Sequence, residues 1–223
     1  MPALLSGAPR ATARPGLAAT VPPAETSAPA RNPSWAVLVN KDMNLHRVTP
    51  TFYRGEQFKK TEVPELQKLD IRAIVNLRNN HSDAAELAGS GIKEIRVRIN
   101  TWNIADRHII AALAAIRRAE AAGPVLLHCQ HGADRTGLVS AMYRIVFQNW
   151  SRDAALDELI NGGYGYHSVW TNIPRYLNNV DIEKIRQAVL AALATGEPSP
   201  AGHPRSASTR PPRAHAGGAS FFS

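Results

Sequence analysis

Hydrophobic residues follow two different periods in the middle of the chain. Short apolar or alternating runs predict strands at 45–49, 51–54, 71–77, 92–99 and 125–127, and the run at 71–77 is also rich in β-branched residues. Apolar stripes at helical spacing predict helices at 62–69, 83–88, 106–122, 135–149, 152–160 and 173–193. Because strands and helices alternate, we expect an α/β fold, with a mostly parallel central sheet flanked by helices in a single domain.

Proline marks the limits of this domain. Seven of the 16 prolines lie in residues 1–34 and five in 195–223. Both ends are rich in Ala, Pro, Ser, Thr, Gly and Arg, a composition that buries too little apolar surface to offset the entropy of ordering. The sequence therefore predicts disordered tails at 1–34 and 195–223 around a domain at 35–194.

Composition and charge exclude several classes of protein. The net charge is +8, but no run of five or more basic residues exists, so we expect no stable nucleic-acid binding. No apolar run reaches the roughly 18 residues that span a bilayer. The single cysteine, Cys129, excludes an internal disulfide framework and a cysteine-rich metal site. Oligomeric state stays open.

The first residues do not resemble a signal peptide. The apolar stretch at 1–5 is short, and Pro9 and Pro15 interrupt the residues after it. We expect a cytoplasmic location by default, and an exported form if the true start lies upstream.

The segment with the clearest chemistry runs from a predicted buried strand into a predicted helix: His128-Cys129-Gln130-His131-Gly132-Ala133-Asp134-Arg135-Thr136-Gly137. Ligands of parallel α/β sheets bind at the carboxyl ends of strands, where a helix N-terminus offers free N–H groups to an anion. A glycine allows the loop to curl, so that successive N–H groups converge. This segment predicts an anion-binding loop.

The side chains of this loop predict phosphoryl transfer. Arg135 follows Cys129 by six residues, and its planar fork can bind two oxygens of one phosphate. A helix N-terminus and an arginine favour the thiolate form of Cys129, which is the nucleophilic form. The Thr136 hydroxyl can stabilise the departing sulfur. The alternative is an inert buried cysteine, but the joint occurrence of glycine, arginine and threonine at these spacings makes a chance match remote.

The motif His128-Cys129-x5-Arg135-Thr136-Gly137 resembles the signature of the cysteine-dependent protein tyrosine phosphatases, and the wider chain resembles the small bacterial dual-specificity phosphatases. Further matching segments are Tyr53-Arg-Gly-Glu-Gln57, Val75-Asn-Leu-Arg78, Met142-Tyr-Arg144 and Gly162-Gly-Tyr-Gly-Tyr-His167. The resemblance implies a phosphatase domain that hydrolyses phosphate monoesters of phosphorylated proteins or small molecules, with no cofactor and no metal.

The resemblance also implies residue roles. Cys129 would be the nucleophile, Arg135 the phosphate clamp, and Thr136 an aid to hydrolysis of the phosphoenzyme. Backbone amides from Gln130 to Arg135, through His131, Gly132, Ala133 and Asp134, would hold the phosphate oxygens. Family members use an upstream aspartic acid as general acid. Asp106 is the best match and Asp83 the reserve, although either could simply cap a helix.

Other residues and activities stay open. Arg78 could assist anion binding and His128 could orient the loop, while Asp134 brings a negative charge that must pair with a basic neighbour or oppose the phosphate. The loop also resembles that of cysteine-dependent RNA 5′-triphosphatases. An RNA 5′-triphosphatase, a phosphoinositide or small-molecule phosphatase, and a phosphate-recognition module without turnover are therefore the alternatives.

Overall fold

A computed structural model describes residues 31–195, so the predicted tails lie outside it except for 31–34 and 195. The strands are β1 (Val37–Asn40), β2 (Leu45–Thr49), β3 (Phe52–Gly55), β4 (Ala73–Asn76), β5 (Lys93–Arg96) and β6 (Val125–His128). The helices are α1 (Val63–Lys68), α2 (Asp106–Glu120), α3 (Asp134–Gln148), α4 (Arg152–Asn161), α5 (Asn172–Asn179) and α6 (Ile182–Thr195).

The six strands form one sheet in the order β1-β2-β3-β6-β4-β5. Strands β3, β6, β4 and β5 run parallel, and β1 and β2 extend the sheet in antiparallel pairing. This confirms the α/β fold with a mostly parallel sheet. His128 at the end of β6 is in register with Gly55 of β3 and Asn76 of β4. The segments after these three strands therefore meet at one edge of the sheet, where ligands of such folds bind.

Alternating residues of the strands build two cores, one on each face of the sheet. Phe52, Val75 and Leu127 face the larger core, which α2 to α6 cover, while their neighbours along the strands face a smaller core that includes residues of α1. Helix α3 lies deep in the larger core, because 12 of its 15 residues are buried. Within residues 31–195, no helix is both long enough and apolar enough to cross a membrane.

Two predictions about elements are wrong, and one strand was not predicted. The segment 83–88 forms turns instead of a helix, because the Asp83 carboxylate bonds side chains of other segments and caps nothing. The predicted helix at 173–193 is two helices. Asp181 accepts a hydrogen bond from the Lys184 N–H and begins α6, while Arg152 of α4 binds carbonyls at the end of α5. Strand β1 has no counterpart in the sequence prediction, since its residues are mostly exposed and show no buried face.

Candidate active site

The loop after β6 curls tightly against the end of β3. Cys129 follows the strand with 2% of its surface exposed. Gly132 has φ +66°, a conformation that favours glycine. A Cβ added to Gly132 would lie 2.6 Å from the carbonyl carbon and oxygen of Gly55. A glycine is therefore required here both by the backbone conformation and by the close approach of the two segments.

Donors outside the loop bind three of its carbonyl groups. The Gln57 N–H donates to Gln130 O at 3.1 Å, and Asn44 Nδ2 donates to His131 O at 3.0 Å. Arg54 Nη2 donates to Gly132 O at 2.7 Å. The C=O and the following N–H of one peptide point in opposite directions. The outward carbonyls thus leave the N–H groups of residues 131–133 turned the other way, as an anion nest requires.

The Arg135 side chain reaches across the strand ends into a cavity. Its Nη1 lies 3.5 Å from Leu77 O and 3.4 Å from Ile99 O, at the long end of hydrogen-bond distances. The cavity has a volume of about 240 Å³. Its lining is formed by Arg78, Asn79, Asn80, Asn100, Thr101, Trp102, Gln130 and Arg135. Two guanidinium groups and several amides on one cavity form a site suited to an anion.

A partly buried network of hydrogen bonds connects this cavity to Cys129. Arg78 Nη1 donates to Gln57 Oε1 at 3.0 Å, and Gln57 Nε2 donates to Asp83 Oδ1 at 2.9 Å. The other oxygen of Asp83 lies 2.7 Å from His128 Nε2, and His128 Nδ1 lies 3.0 Å from Cys129 O. Burial opposes the charged form of Asp83, but the hydrogen bond and charge of His128 outweigh it and lower the pKa of Asp83 below its ordinary value. His128 is thus fixed between a carboxylate and the loop.

Neither candidate acid lies at the cavity. Asp83 is fully buried in the network just described. Asp106 is the first residue of α2, after Ala105 in the cap position, so the expectation that it caps this helix is wrong. Its carboxylate accepts hydrogen bonds from Tyr176 Oη and Lys184 Nζ, both at 3.0 Å. Burial and the Asp106 carboxylate together raise the pKa of Tyr176. The structure therefore places Asp106 against α5 and α6 and does not bring it together with Cys129 and Arg135.

Asp134 is turned away from the loop interior. Its carboxylate accepts from the backbone N–H of His167 at 2.9 Å and contacts the His167 ring at 2.9 Å and 3.1 Å. The basic neighbour that the sequence required is thus a histidine of the segment between α4 and α5.

Other loop residues have simpler surroundings. Ala133 is buried, and its carbonyl accepts from the Gly137 N–H at 2.8 Å, while the His131 side chain is exposed. Thr136 is fully buried, and its hydroxyl has no hydrogen-bond partner among residues 31–195. This hydroxyl is therefore free to bond a group that enters the loop.

The sequence predicts no role in holding the loop for three residues that bond it, although two of them lie in the matching segment 53–57: Asn44, Arg54 and Gln57. One signal for Arg54 is present in the sequence. It alternates with Phe52 in β3 and so occupies a position on the apolar face, where an arginine is unusual. Asn44 and Gln57 carry no such signal, because their contacts join segments that are distant in the chain.

Two groups of side chains within residues 31–195 have possible metal ligand atoms within 4.8 Å of one another: His131 with Asp134 and His167, and His81 with Asp83 and Glu86. In each group the aspartate already bonds a histidine, Asp134 to His167 and Asp83 to His128. These contacts account for both groups by hydrogen bonding within the protein.

A family profile, a curated relative and a solved structure all indicate that this chain is similar to phosphatases. The profile of the tyrosine phosphatase family matches residues 40–187. The dual specificity protein phosphatase TpbA of Pseudomonas aeruginosa strain UCBPP-PA14 is 37% identical over 177 residues, which cover 79% of this chain and 78% of TpbA. The crystal structure of P. aeruginosa TpbA is 34% identical, with a TM-score of 0.67 over 71% of this chain and 98% of that chain.

A more distant structure shares the fold. The catalytic domain of a PP-IP phosphatase from S. cerevisiae is 22% identical, with a TM-score of 0.59 over 69% of this chain and 93% of that chain. The family profile spans strands β2 to β6, the loop from Cys129 to Arg135, helices α1 to α5 and the start of α6. This chain belongs to the tyrosine phosphatase family.

Proposed function

We propose that this protein hydrolyses phosphate monoesters through a cysteinyl-phosphate at Cys129, without a metal ion. The observation that carries the proposal is the loop itself. A buried cysteine at the end of β6 is followed by an outward-bonded backbone and by Arg135 in the cavity. Convergent amides and a guanidinium supply the positive charge that a phosphoryl group needs, so no metal is required for this purpose.

The chemistry proceeds in two displacements. The Cys129 thiolate attacks phosphorus, a sulfur–phosphorus bond forms, and the ester oxygen leaves with the electrons of its bond to phosphorus. Water then attacks the phosphocysteine, the sulfur leaves as thiolate, and inorganic phosphate is released. The buried Thr136 hydroxyl has no partner within residues 31–195 and can donate to the departing sulfur in this second step.

The leaving oxygen requires a proton, and the resemblance assigns that proton to Asp106. The Asp106 carboxylate accepts hydrogen bonds from Tyr176 and Lys184, so it can act as the acid only after both contacts break. The dependence of kcat on the leaving group in Asp106→Asn tests whether Asp106 has this role.

We propose phosphotyrosine as the primary substrate, and phosphoserine and phosphothreonine as secondary ones. TpbA is named a dual specificity phosphatase, and it has been crystallised in complex with pTyr. In this chain Trp102 lines the cavity with 72% of its surface exposed, so its indole can pack against the ring of an aryl phosphate.

The test is hydrolysis of para-nitrophenyl phosphate in the presence of EDTA. Wild type should turn over, and Cys129→Ser should lose turnover while it still binds phosphate or vanadate. Acid quenching of the wild-type reaction should trap one phosphoryl group on the chain, and Thr136→Ala should increase the trapped fraction. Full activity in Cys129→Ser would overturn the covalent mechanism, and complete loss of wild-type activity in EDTA would overturn metal independence.

The alternatives give different results in the same assays. A phosphate-recognition module would bind phosphate and show no turnover. An RNA 5′-triphosphatase would release the γ-phosphate of triphosphorylated RNA faster than it hydrolyses phosphotyrosine peptides. A phosphoinositide phosphatase would prefer inositol lipids over both.

A further inference from the structure

Arg54 is a buried cation on the apolar face of the sheet. Its neighbour in the parallel pairing is Leu127 of β6, and it shares its face with Phe52. Only 2% of its surface is exposed, and it is among the largest fully buried side chains of the described residues. Because burial of an ion is expensive unless the ion is paired, such an arginine calls for an explanation.

The contacts of Arg54 lead to the phosphate loop. Its Nη2 donates to Gly132 O at 2.7 Å, and its guanidinium carbon lies 3.7 Å from the centre of the Tyr164 ring. Its Nε is buried and has no hydrogen-bond partner among residues 31–195. One carbonyl and one aromatic face thus take the place of the water that a guanidinium normally binds.

Glu158, whose charge acts on Arg54, already forms an ion pair with another arginine. Glu158 of α4 bonds Arg144 of α3 through both carboxylate oxygens, at 2.8 Å and 2.9 Å, and also accepts from the Tyr164 hydroxyl. Among residues 31–195, Arg54 lies within ion-pair distance of no carboxylate. Burial lowers the pKa of Arg54, while the neighbouring ionisable groups Tyr164, Glu158 and Cys129 act in the opposite direction. Among these three groups, Cys129 alone belongs to the loop that Arg54 contacts.

We propose that Arg54 is a positioning residue that sets the shape and the charge of the phosphate loop. Its bond to Gly132 O turns this carbonyl into the core and keeps the next N–H directed at the anion. Its buried charge, which forms no ion pair within residues 31–195, favours the thiolate of Cys129 and later the bound phosphoryl group. This inference deepens the proposed function, but its central measurement needs no substrate.

Charged groups on several elements contact the loop that begins at Cys129 or belong to it. They are Arg54 on β3, Arg135 at the start of α3, and His128 at the end of β6, which bonds Asp83; Glu158 and Arg144 lie behind Arg54. Arg54 contacts the loop directly but belongs neither to the cavity lining nor to the His128–Asp83 pair. Its effect on the thiolate can therefore be measured separately.

The experiment compares Arg54→Met and Arg54→Lys with wild type by the pH dependence of alkylation with iodoacetamide. The chain has one cysteine, so the label reports Cys129 alone. In Arg54→Met we expect the midpoint of alkylation to rise by about one pH unit or more, the usual size of the effect of a nearby opposite charge. Arg54→Lys should keep a midpoint near that of wild type yet lower kcat, because an ammonium does not reproduce the planar fork that reaches Gly132.

Arg152→Met is the matched control. The Arg152 guanidinium also donates to backbone carbonyls, those of Leu177 and Val180, but outside the loop. It should lose stability in urea without a change in the alkylation midpoint. If Arg54→Met folds and gives the wild-type alkylation midpoint, the charge role of Arg54 is overturned. If Arg54→Met does not fold, the kcat of Arg54→Lys decides, and a wild-type value overturns the positioning role. A wild type without phosphatase activity, but with an alkylation midpoint that responds to Arg54→Met, would reject the proposed function and leave this inference intact.

Discussion

The Gly132→Ala substitution tests whether the phosphate loop depends on its contact with β3. At φ +66° a residue with a Cβ costs about 1–2 kcal/mol relative to glycine. The new Cβ would also lie 2.6 Å from the Gly55 carbonyl and 2.7 Å from the Glu56 nitrogen, both backbone atoms that cannot rotate away. Relief of such an overlap by a backbone shift costs about 1–3 kcal/mol more. We therefore expect Gly132→Ala to lower the free energy of unfolding by about 2–5 kcal/mol.

Gly89→Ala separates the two contributions. Gly89 has φ +79°, and its added Cβ would meet nothing within 4 Å. It should lose only the conformational part, about 1–2 kcal/mol, and keep full activity. Urea unfolding, followed by tryptophan fluorescence, measures both variants, and kcat/KM on para-nitrophenyl phosphate measures the site.

Gly132→Ala and Gly89→Ala should differ more in catalytic activity than in stability. A backbone shift at Gly132 moves its carbonyl away from Arg54 and turns the amides out of line with the anion, so kcat/KM should fall by at least tenfold, or about 1.4 kcal/mol in the transition state. Equal destabilisation of both variants, together with retained activity in Gly132→Ala, would refute the packing argument.

Three further substitutions test other contacts. Asp106→Asn should lower thermal stability, because the Asp106 carboxylate bonds two neighbouring helices. It should not change how kcat depends on the leaving group of substituted phenyl phosphates. A steeper dependence in the variant would identify Asp106 as the general acid. Trp102→Ala should raise KM for aryl phosphates more than for alkyl phosphates, and an equal rise would remove the indole as a wall for aromatic rings. Glu158→Gln tests pH dependence: burial opposes its charge, but the bonds from Arg144 outweigh this and lower the pKa of Glu158 below 4.5. The stabilisation from Glu158 is therefore complete above about pH 4.5 and is lost as pH falls through the lower pKa of the folded state. The difference in the free energy of unfolding between wild type and Glu158→Gln should therefore become smaller in acid. A difference that stays constant until the protein unfolds would contradict the ion pair between Glu158 and Arg144.

Local patterns predict well where each element packs by its own periodicity. Helix α2 and strand β2 have bounds that agree closely with the apolar stripe predicted at 106–122 and the short run predicted at 45–49. The prediction at 173–193 fails because the break lies in a sequence with no glycine or proline. The guanidinium of Arg152 binds a carbonyl at the end of α5, and the side chain of Asp181 caps the start of α6.

The candidate site shows the same division. Spacing alone indicates the loop, since Cys129, Gly132 and Arg135 are close in sequence and their roles depend on one turn of chain. The partners that hold this loop cannot be read in the same way. The sequence predicts a cap or a reserve acid at Asp83, whereas its contact with His128 joins residues 45 positions apart.

By itself, then, the sequence determined the α/β fold and indicated the candidate anion loop, because hydrophobic period and short-range spacing are properties of neighbouring residues. Only the tertiary structure decided where the charges lie. It buried Arg54 under Gly132, paired Asp83 with His128 and placed Asp106 against α5 and α6. These are meetings of distant segments, and they depend on the order of the strands in the sheet, which no local pattern encodes.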